Sequence, residues 1–148
     1  MRKYISLLGL AALLVLSTSA QDNTITKKKW HWGQGDSDTA AGYAQAVLVD
    51  NILYISGTVG GGDMKQAVER VYKGLERTLK EFGATFQNVV KENLYTTDIE
   101  AVKANNHIRK PFYKGDYPAA TWVQISRLYM PHATLEVELV VHLPKKSM

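Results

Sequence analysis

Two adjacent segments, "YAQAVLVD" (43–50) and "ILYISGTV" (52–59), limit most sharply what this chain can fold into. Each reads as a short strand, and Asp50-Asn51 between them tolerates the positive φ of a tight hairpin. Both faces of that hairpin are apolar: Val47 and Val49 oppose Ala46 and Leu48, and Ile52 and Tyr54 oppose Leu53 and Ile55. A sheet built on it needs cover on both sides.

The rest of the chain offers helix for only one side. Apolar residues at Met64, Ala67, Val68, Val71, Leu75, Leu79 and Phe82 follow helical spacing, with Asp63 as N-cap, Gln66 as its capping-box partner and Gly83 as the stop. "VVKENLYTT" (89–97) is a strand, and Asp98 caps a second helix to about Lys114, which Pro111 is expected to kink or shorten. "AATWVQIS" and "ATLEVELVVH" are the last two strands, "KKKWHWG" a first edge strand, Gly33 to Gly42 a loop, and Gly60 to Gly62 a flexible turn. The prediction is an α+β fold: a mixed sheet of about six strands, order β-β-β-α-β-α-β-β, with two helices on one face. The uncovered face is expected to meet another copy of the chain. Trp122 is expected on the side that needs this cover, because alternation separates Ala120, Trp122 and Gln124 from Val123 and Ile125.

A chain of 148 residues suits one domain. "MRK", the apolar run "YISLLGLAALLVL" and the small residues of "STSA" form the pattern of a secretory signal peptide with cleavage near Ala20; the run is short for a bilayer span. The expected organisation is therefore a signal peptide at 1–20, a flexible leader with edge strand and loop at 21–41, and one domain at 42–148. The protein is expected to be exported, periplasmic or extracellular, with no membrane contact after cleavage. Losing Arg2 and Lys3 lowers the net charge from +4 to about +2, which with no basic-aromatic groove gives no reason to expect nucleic acid. Zero cysteines exclude disulfides, thiolate metal sites and a cysteine nucleophile.

Glu136 and Glu138 in "LEVELVV" share one strand face, opposite Leu135, Val137 and Leu139. On a solvated face they are ordinary surface carboxylates. On a face covered by a second subunit, partial burial makes one of them a candidate acid or base. His31, His107, His132 and His142 have no metal-ligand spacing and read as surface or packing residues; no metal site is expected. "GTVGGG" lacks the Lys-Ser/Thr of a phosphate loop, and no nucleophile elbow or dinucleotide fingerprint is present.

Taken in order, "GYAQAVLVDNILYISGTVG", "AVERVYKGLERTLKEFGATFQNVVKENLYTTDIEAVKANN", "YPAATWVQISRL" and "LEVELVV" resemble the Rid family (RidA, YjgF-like, endoribonuclease L-PSP) from about Gly42 to Val141. The resemblance implies a chorismate-mutase-like fold, a homotrimer with sites in the clefts between subunits, and hydrolysis of reactive imines and enamines such as 2-iminopropanoate to a keto acid and ammonia. It implies no cofactor and no metal.

By the same resemblance Tyr43 lines the cleft, Gly57 belongs to the site loop, Asn106 lies near the cleft, and Glu136 is the catalytic acid/base that positions water. Thr58 stands where the family usually has glutamine. Ala120 stands where active members carry the arginine that clamps the substrate carboxylate through a two-pronged, charge-assisted bond. Losing that clamp costs on the order of 2–5 kcal/mol of substrate binding unless another cation replaces it. Arg109, His107 or a neighbouring subunit's lysine are the candidates. Ala120, Thr121 and Trp122 are expected to form one wall of the pocket, with Trp122 favouring an apolar or aromatic substrate. The expected function is an imine/enamine deaminase with altered specificity. The alternative is a non-catalytic trimer holding a small ligand; a ribonuclease is the least expected.

Overall fold

The computed structural model describes residues 24–33 and 35–144. The signal-peptide expectation, and the first residues of the leader, lie outside the described residues. Six strands form one sheet in the order β1-β2-β3-β6-β4-β5. They are β1 (Lys28–Trp30), β2 (Ala46–Val49), β3 (Ile52–Gly61), β4 (Val89–Thr96), β5 (Ala119–Gln124) and β6 (Ala133–His142). All neighbours are antiparallel except β4 and β5, which run parallel through the crossover helix α3 (Ile99–Tyr113).

Helices α2 (Met64–Glu81) and α3 cover the same face. Asp63 caps α2 by accepting from the Gln66 backbone N–H at 2.9 Å, and Asp98 caps α3 through Ala101 in the same way. Of the predicted stripe, Ala67, Val68, Val71, Leu75 and Leu79 are buried against Leu53, Ile55, Leu135, Val137 and Leu139 of the sheet, and Met64 is half-buried. In the central strand β6 the alternation is complete, with odd-numbered residues from Ala133 to Val141 buried beneath the helices and Glu136, Glu138 and Val140 on the other face. That face carries no helix. Tyr54, Val59 and Val123 stand exposed on it, as the apolar hairpin requires of a surface awaiting cover.

Four expectations are corrected. The loop at 33–42 contains a short helix, α1 (Asp36–Ala41), entered from Gly35 and left through Gly42, both with positive φ. The glycines at 60 and 61 belong to β3 rather than to a turn. A Cβ on Gly60 would come within 2.6 Å of the Ala67 carbonyl oxygen, so the glycine is what allows α2 to lie directly on the strand. Pro111 does not end α3, because it sits in the last turn, where its missing N–H removes little of the ladder; Lys114 closes the helix in the left-handed conformation.

The fourth correction concerns Trp122. Parallel pairing sets Leu94 beside Trp122 and Glu92 beside Ala120, and both Leu94 and Glu92 are buried beneath the helices. Trp122 therefore packs against the core from the helix side and is not covered by a second subunit. Its Nε1 donates to Glu92 Oε1 at 2.9 Å. The hydroxyls of Tyr72 and Tyr113 donate to Glu92 Oε2 at 2.8 and 2.6 Å, and Arg109 engages the same carboxylate through Nε at 3.0 Å and Nη2 at 2.9 Å. The Arg109 guanidinium also lies 4.9 Å over the Trp122 ring. Burial and the Glu92 charge raise both tyrosine pKa values, which keeps the phenols protonated as donors.

Removing one partner of such a buried pair strands the other charge. Arg109→Leu is expected to lower unfolding free energy by about 3–5 kcal/mol, read from the urea midpoint. A loss under about 1 kcal/mol contradicts the assigned role of Glu92.

Candidate functional site

The site candidates divide between the two faces of the sheet. On the open face, Glu136 lies beside Val59 of β3 and Tyr95 of β4. The β3–β6 register slips between Ile55 and Thr58, which leaves Ser56 and Gly57 as a bulge. A Cβ built on Gly57 would fall 1.8 Å from Glu136 Oε1. What keeps position 57 free of a side chain is the carboxylate lying over it, since its φ is not in the left-handed region. The bulge is held by Ser56 Oγ, which donates to the Ala44 carbonyl at 2.7 Å, and by the Ser56 backbone N–H, which donates to the Gln45 carbonyl at 2.9 Å. These bonds bring Tyr43, one residue before Ala44, to the same end of the sheet. Its hydroxyl donates to Asp38 Oδ1 at 2.9 Å.

The two glutamates differ in their partners. Glu138 Oε1 accepts from Asn93 Nδ2 at 2.7 Å and from the Tyr95 hydroxyl at 3.2 Å. Among the described residues the Glu136 carboxylate meets no hydrogen-bond donor. Partial burial, and then the charge of Glu138, raise the Glu136 pKa above the ordinary carboxylate value. A partly buried carboxylate with a raised pKa is a candidate general base. The Tyr43 pKa is also raised, first by burial, then by the hydrogen bond and charge of Asp38, and last by the charge of Glu136. Tyr43 therefore acts as a neutral phenol.

Two concavities open on this face. One of about 190 Å³ is lined by Tyr54, Ser56, Lys91, Asn93, Glu138 and Val140, among others. A larger one, about 760 Å³, lies over β1 and β2 between His31, Lys27, Lys29, Tyr43, Val47, Val49 and Tyr54. Glu136 itself lines neither. Among the described residues no group of three or more His, Asp or Glu could hold a metal ion, and no helix is long and apolar enough to cross a membrane.

The structure thus brings together Tyr43, Gly57 and Glu136. Thr121 shares their face but two strands away from β6, where its Oγ1 receives Lys91 Nζ at 2.7 Å. Ala120 and Trp122 lie on the helix face, so the three residues 120–122 do not form one wall, and Trp122 cannot select a substrate beside Glu136 within one protomer. Thr58 also turns to the helix side, pairs with Val137 and packs toward Gly74 of α2, so it does not line a pocket with Glu136. Asn106 sits on α3 in the helix layer. The buried side-chain oxygens of Thr58 and Asn106 meet no partner among the described residues. Arg109, which the sequence offered as a cation in place of a clamp at position 120, is already held by Glu92.

Sequence reasoning took His31 for a surface or packing residue and did not single out Asp38, its partner in the structure. His31 Nδ1 lies 3.1 Å from Asp38 Oδ2, and Asp38 is only 7% exposed. The only local signal was an aspartate five residues before the site tyrosine, in a stretch whose glycines pointed to a loop.

The helices thus cover one face of an α+β sheet, and on the other face Glu136, with a raised pKa, lies over a glycine bulge beside Glu138. Residues 35–143 match the family described as Endoribonuclease L-PSP. The chain is 33% identical over 107 residues to a human 2-iminobutanoate/2-iminopropanoate deaminase, covering 66% of this chain and 77% of the human protein. It is 32% identical to a RutC family protein of Aquifex aeolicus, covering 66% and 86% of the two chains. A crystal structure of a YjgF/YER057c/UK114 family member from Mycobacterium tuberculosis superimposes with a TM-score of 0.72 at 24% identity, over 80% of this chain and all of that one. The chain belongs to the Rid (YjgF-like, endoribonuclease L-PSP) family.

The electrostatic reading of the glutamate pair has a direct check. Glu138→Gln removes the nearby negative charge, so the Glu136 pKa is expected to move down while staying above the ordinary value because burial remains. Carboxyl-carbon NMR titration measures it; an unchanged or higher value contradicts the coupling.

Proposed function

We propose that this protein hydrolyses small reactive imines or enamines, releasing a carbonyl compound and ammonia, with a substrate preference different from that of the deaminases it resembles. The observation that carries the reading is Glu136: partly buried, raised in pKa, without a hydrogen-bond donor among the described residues and seated over Gly57. The deaminase activity carried by the name of the human relative supports the same reaction class.

In the ionised form Glu136 takes a proton from water as the water oxygen bonds to the imine carbon. The electron pair of the C=N bond moves to nitrogen, which takes a proton from solvent water and gives a carbinolamine. In the collapse the nitrogen takes the proton held by Glu136 and leaves as ammonia, while the hydroxyl proton passes to solvent, restoring the carbonyl and the Glu136 carboxylate. Tyr43, kept neutral, orients the substrate as a hydrogen-bonding wall.

We further propose a homotrimer with sites shared between subunits, in an exported protein. The open face with exposed Tyr54, Val59 and Val123 supports this, as does the placement of position 120 on the opposite face from Glu136. A residue at 120 contributes to a Glu136 site only from another copy, across the edge strand β5. With alanine there and Arg109 bound to Glu92, this chain lacks an arginine clamp at that position, which supports a substrate other than a simple 2-imino acid. The same absence supports a non-catalytic ligand-binding trimer as the second reading. Glu136 and Glu138 on the open face disfavour phosphate, and hence a ribonuclease.

The test generates imines in place with amino-acid oxidases, from alanine and from larger apolar amino acids, and follows ammonia and keto-acid release. The wild type is expected to accelerate hydrolysis of at least one, more for larger apolar side chains than for 2-iminopropanoate. Glu136→Gln is expected to lower that rate about 10²–10⁴-fold. No acceleration of any imine, with ligand binding retained, selects the binding reading; an active Glu136→Gln protein refutes the role given to this residue.

A further inference from the structure

Glu136 lines no part of the larger concavity, yet that concavity has the size and lining of a ligand site of its own. Its volume, about 760 Å³, lies within the roughly 300–1,000 Å³ usual for small-molecule pockets. Antiparallel pairing sets Lys29 beside Val47, Val47 beside Tyr54, and Tyr54 beside Val140. One row of side chains therefore crosses four strands, from a cation at the sheet edge to apolar surface further in. Lys27 and Val49 add a second cation and a second apolar group to the lining. Two phenol rings stand half bare against the same space, Tyr43 at 45% exposed and Tyr54 at 47%.

The charge of this lining has one sign. It includes Lys27 and Lys29 and no carboxylate. Asp38 does not line it: that carboxylate is nearly covered, with the Tyr43 hydroxyl on one oxygen at 2.9 Å and His31 Nδ1 on the other at 3.1 Å. Neither Lys27 nor Lys29 pairs with a carboxylate among the described residues. The smaller concavity is different, because Glu138 and Lys91 line it together. The cationic edge is also held in place from behind. Trp30 packs on the core and edge-on to Phe82 at 6.2 Å, and the Arg77 guanidinium lies 3.2 Å over the Trp32 ring. A three-residue edge strand is thereby fixed from the helix side, with Lys29 turned the other way.

We propose that this concavity binds a small organic anion with an aromatic body, of the aryl- or arylalkyl-carboxylate class. The carboxylate sits between the Lys27 and Lys29 ammonium groups, and the ring lies over Val47 and Val49 between Tyr43 and Tyr54. Exposed ammonium groups contribute modestly, so they set the preference for an anion while the apolar strip and the two tyrosines supply most of the affinity. The concavity lies over the outer strands β1 and β2, so a second copy seated over β3, β6 and β4 leaves it open at the sheet edge. The inference is separate from the hydrolytic reading: it assigns no step to Glu136, and its test reads binding rather than turnover.

The experiment titrates the full chain with 2-naphthoate, with its neutral counterpart 2-naphthamide and with acetate, by calorimetry and methyl NMR. The wild type is expected to bind 2-naphthoate more tightly than either of the other two, and to shift the methyl signals of Val47 and Val49 but not of Val102. The double variant Lys27→Gln/Lys29→Gln is expected to weaken 2-naphthoate about 5–10-fold and to leave 2-naphthamide unchanged. Lys28→Gln, whose side chain stands on the other face of β1, is expected to match the wild type. Raising salt from about 0.05 to about 0.5 M is expected to weaken the anion alone. No 2-naphthoate binding by about 1 mM, equal binding of the amide, or an unchanged double variant overturns the proposal. So does an affinity that falls with rising protein concentration as the mass grows, which assigns the concavity to a second copy of the chain. A wild type inactive on every imine leaves the proposal standing, because none of these readouts depends on turnover.

Discussion

Four side chains converge on one buried carboxylate, Glu92, and the arrangement of the molecule follows from that convergence. A charge with no exposed surface is stable only when fully satisfied, and here Arg109, Tyr72, Tyr113 and Trp122 supply the donors. They come from α2, α3 and the edge strand β5, so satisfying Glu92 fastens both helices and the last strand to one face of the sheet. The other face is left bare. That division makes the Glu136 side the only broad sheet surface still available for chemistry among the described residues.

Much of this was legible in the sequence where the signal is local. The hairpin turn at Asp50, the caps at Asp63 and Asp98, the stripe of α2 and the alternation of β6 all depend on residues within a few positions of each other. The placing of Glu136 and Glu138 on a helix-free face followed from that alternation. What was hidden depends on partners far apart in the chain. Trp122 alternates as expected, but its face is chosen by Glu92, 30 positions away, and by Arg109. Gly60 looks like a turn residue until α2 is laid on it. Asp38 acquires meaning only when the short helix α1 brings His31 and Tyr43 to its two oxygens. Of the residues assigned through family resemblance, Tyr43, Gly57 and Glu136 gather in one place, whereas Thr58, Ala120 and Trp122 turn away from it.

The pattern suits a protein whose site is completed by association. The helix-free face carries Glu136 over a glycine bulge and an apolar strip formed by Val47, Val49 and Tyr54. Covering that surface with another copy would deepen the burial that already raises the Glu136 pKa.

The central claim is that the open sheet face is an interface between copies and that the site is built there. Light scattering on the protein at micromolar concentration tests it most directly. The account predicts the mass of three protomers, falling to that of one when Tyr54 and Val140 on this face are replaced by aspartate. A wild-type protein with the mass of a single chain would contradict it.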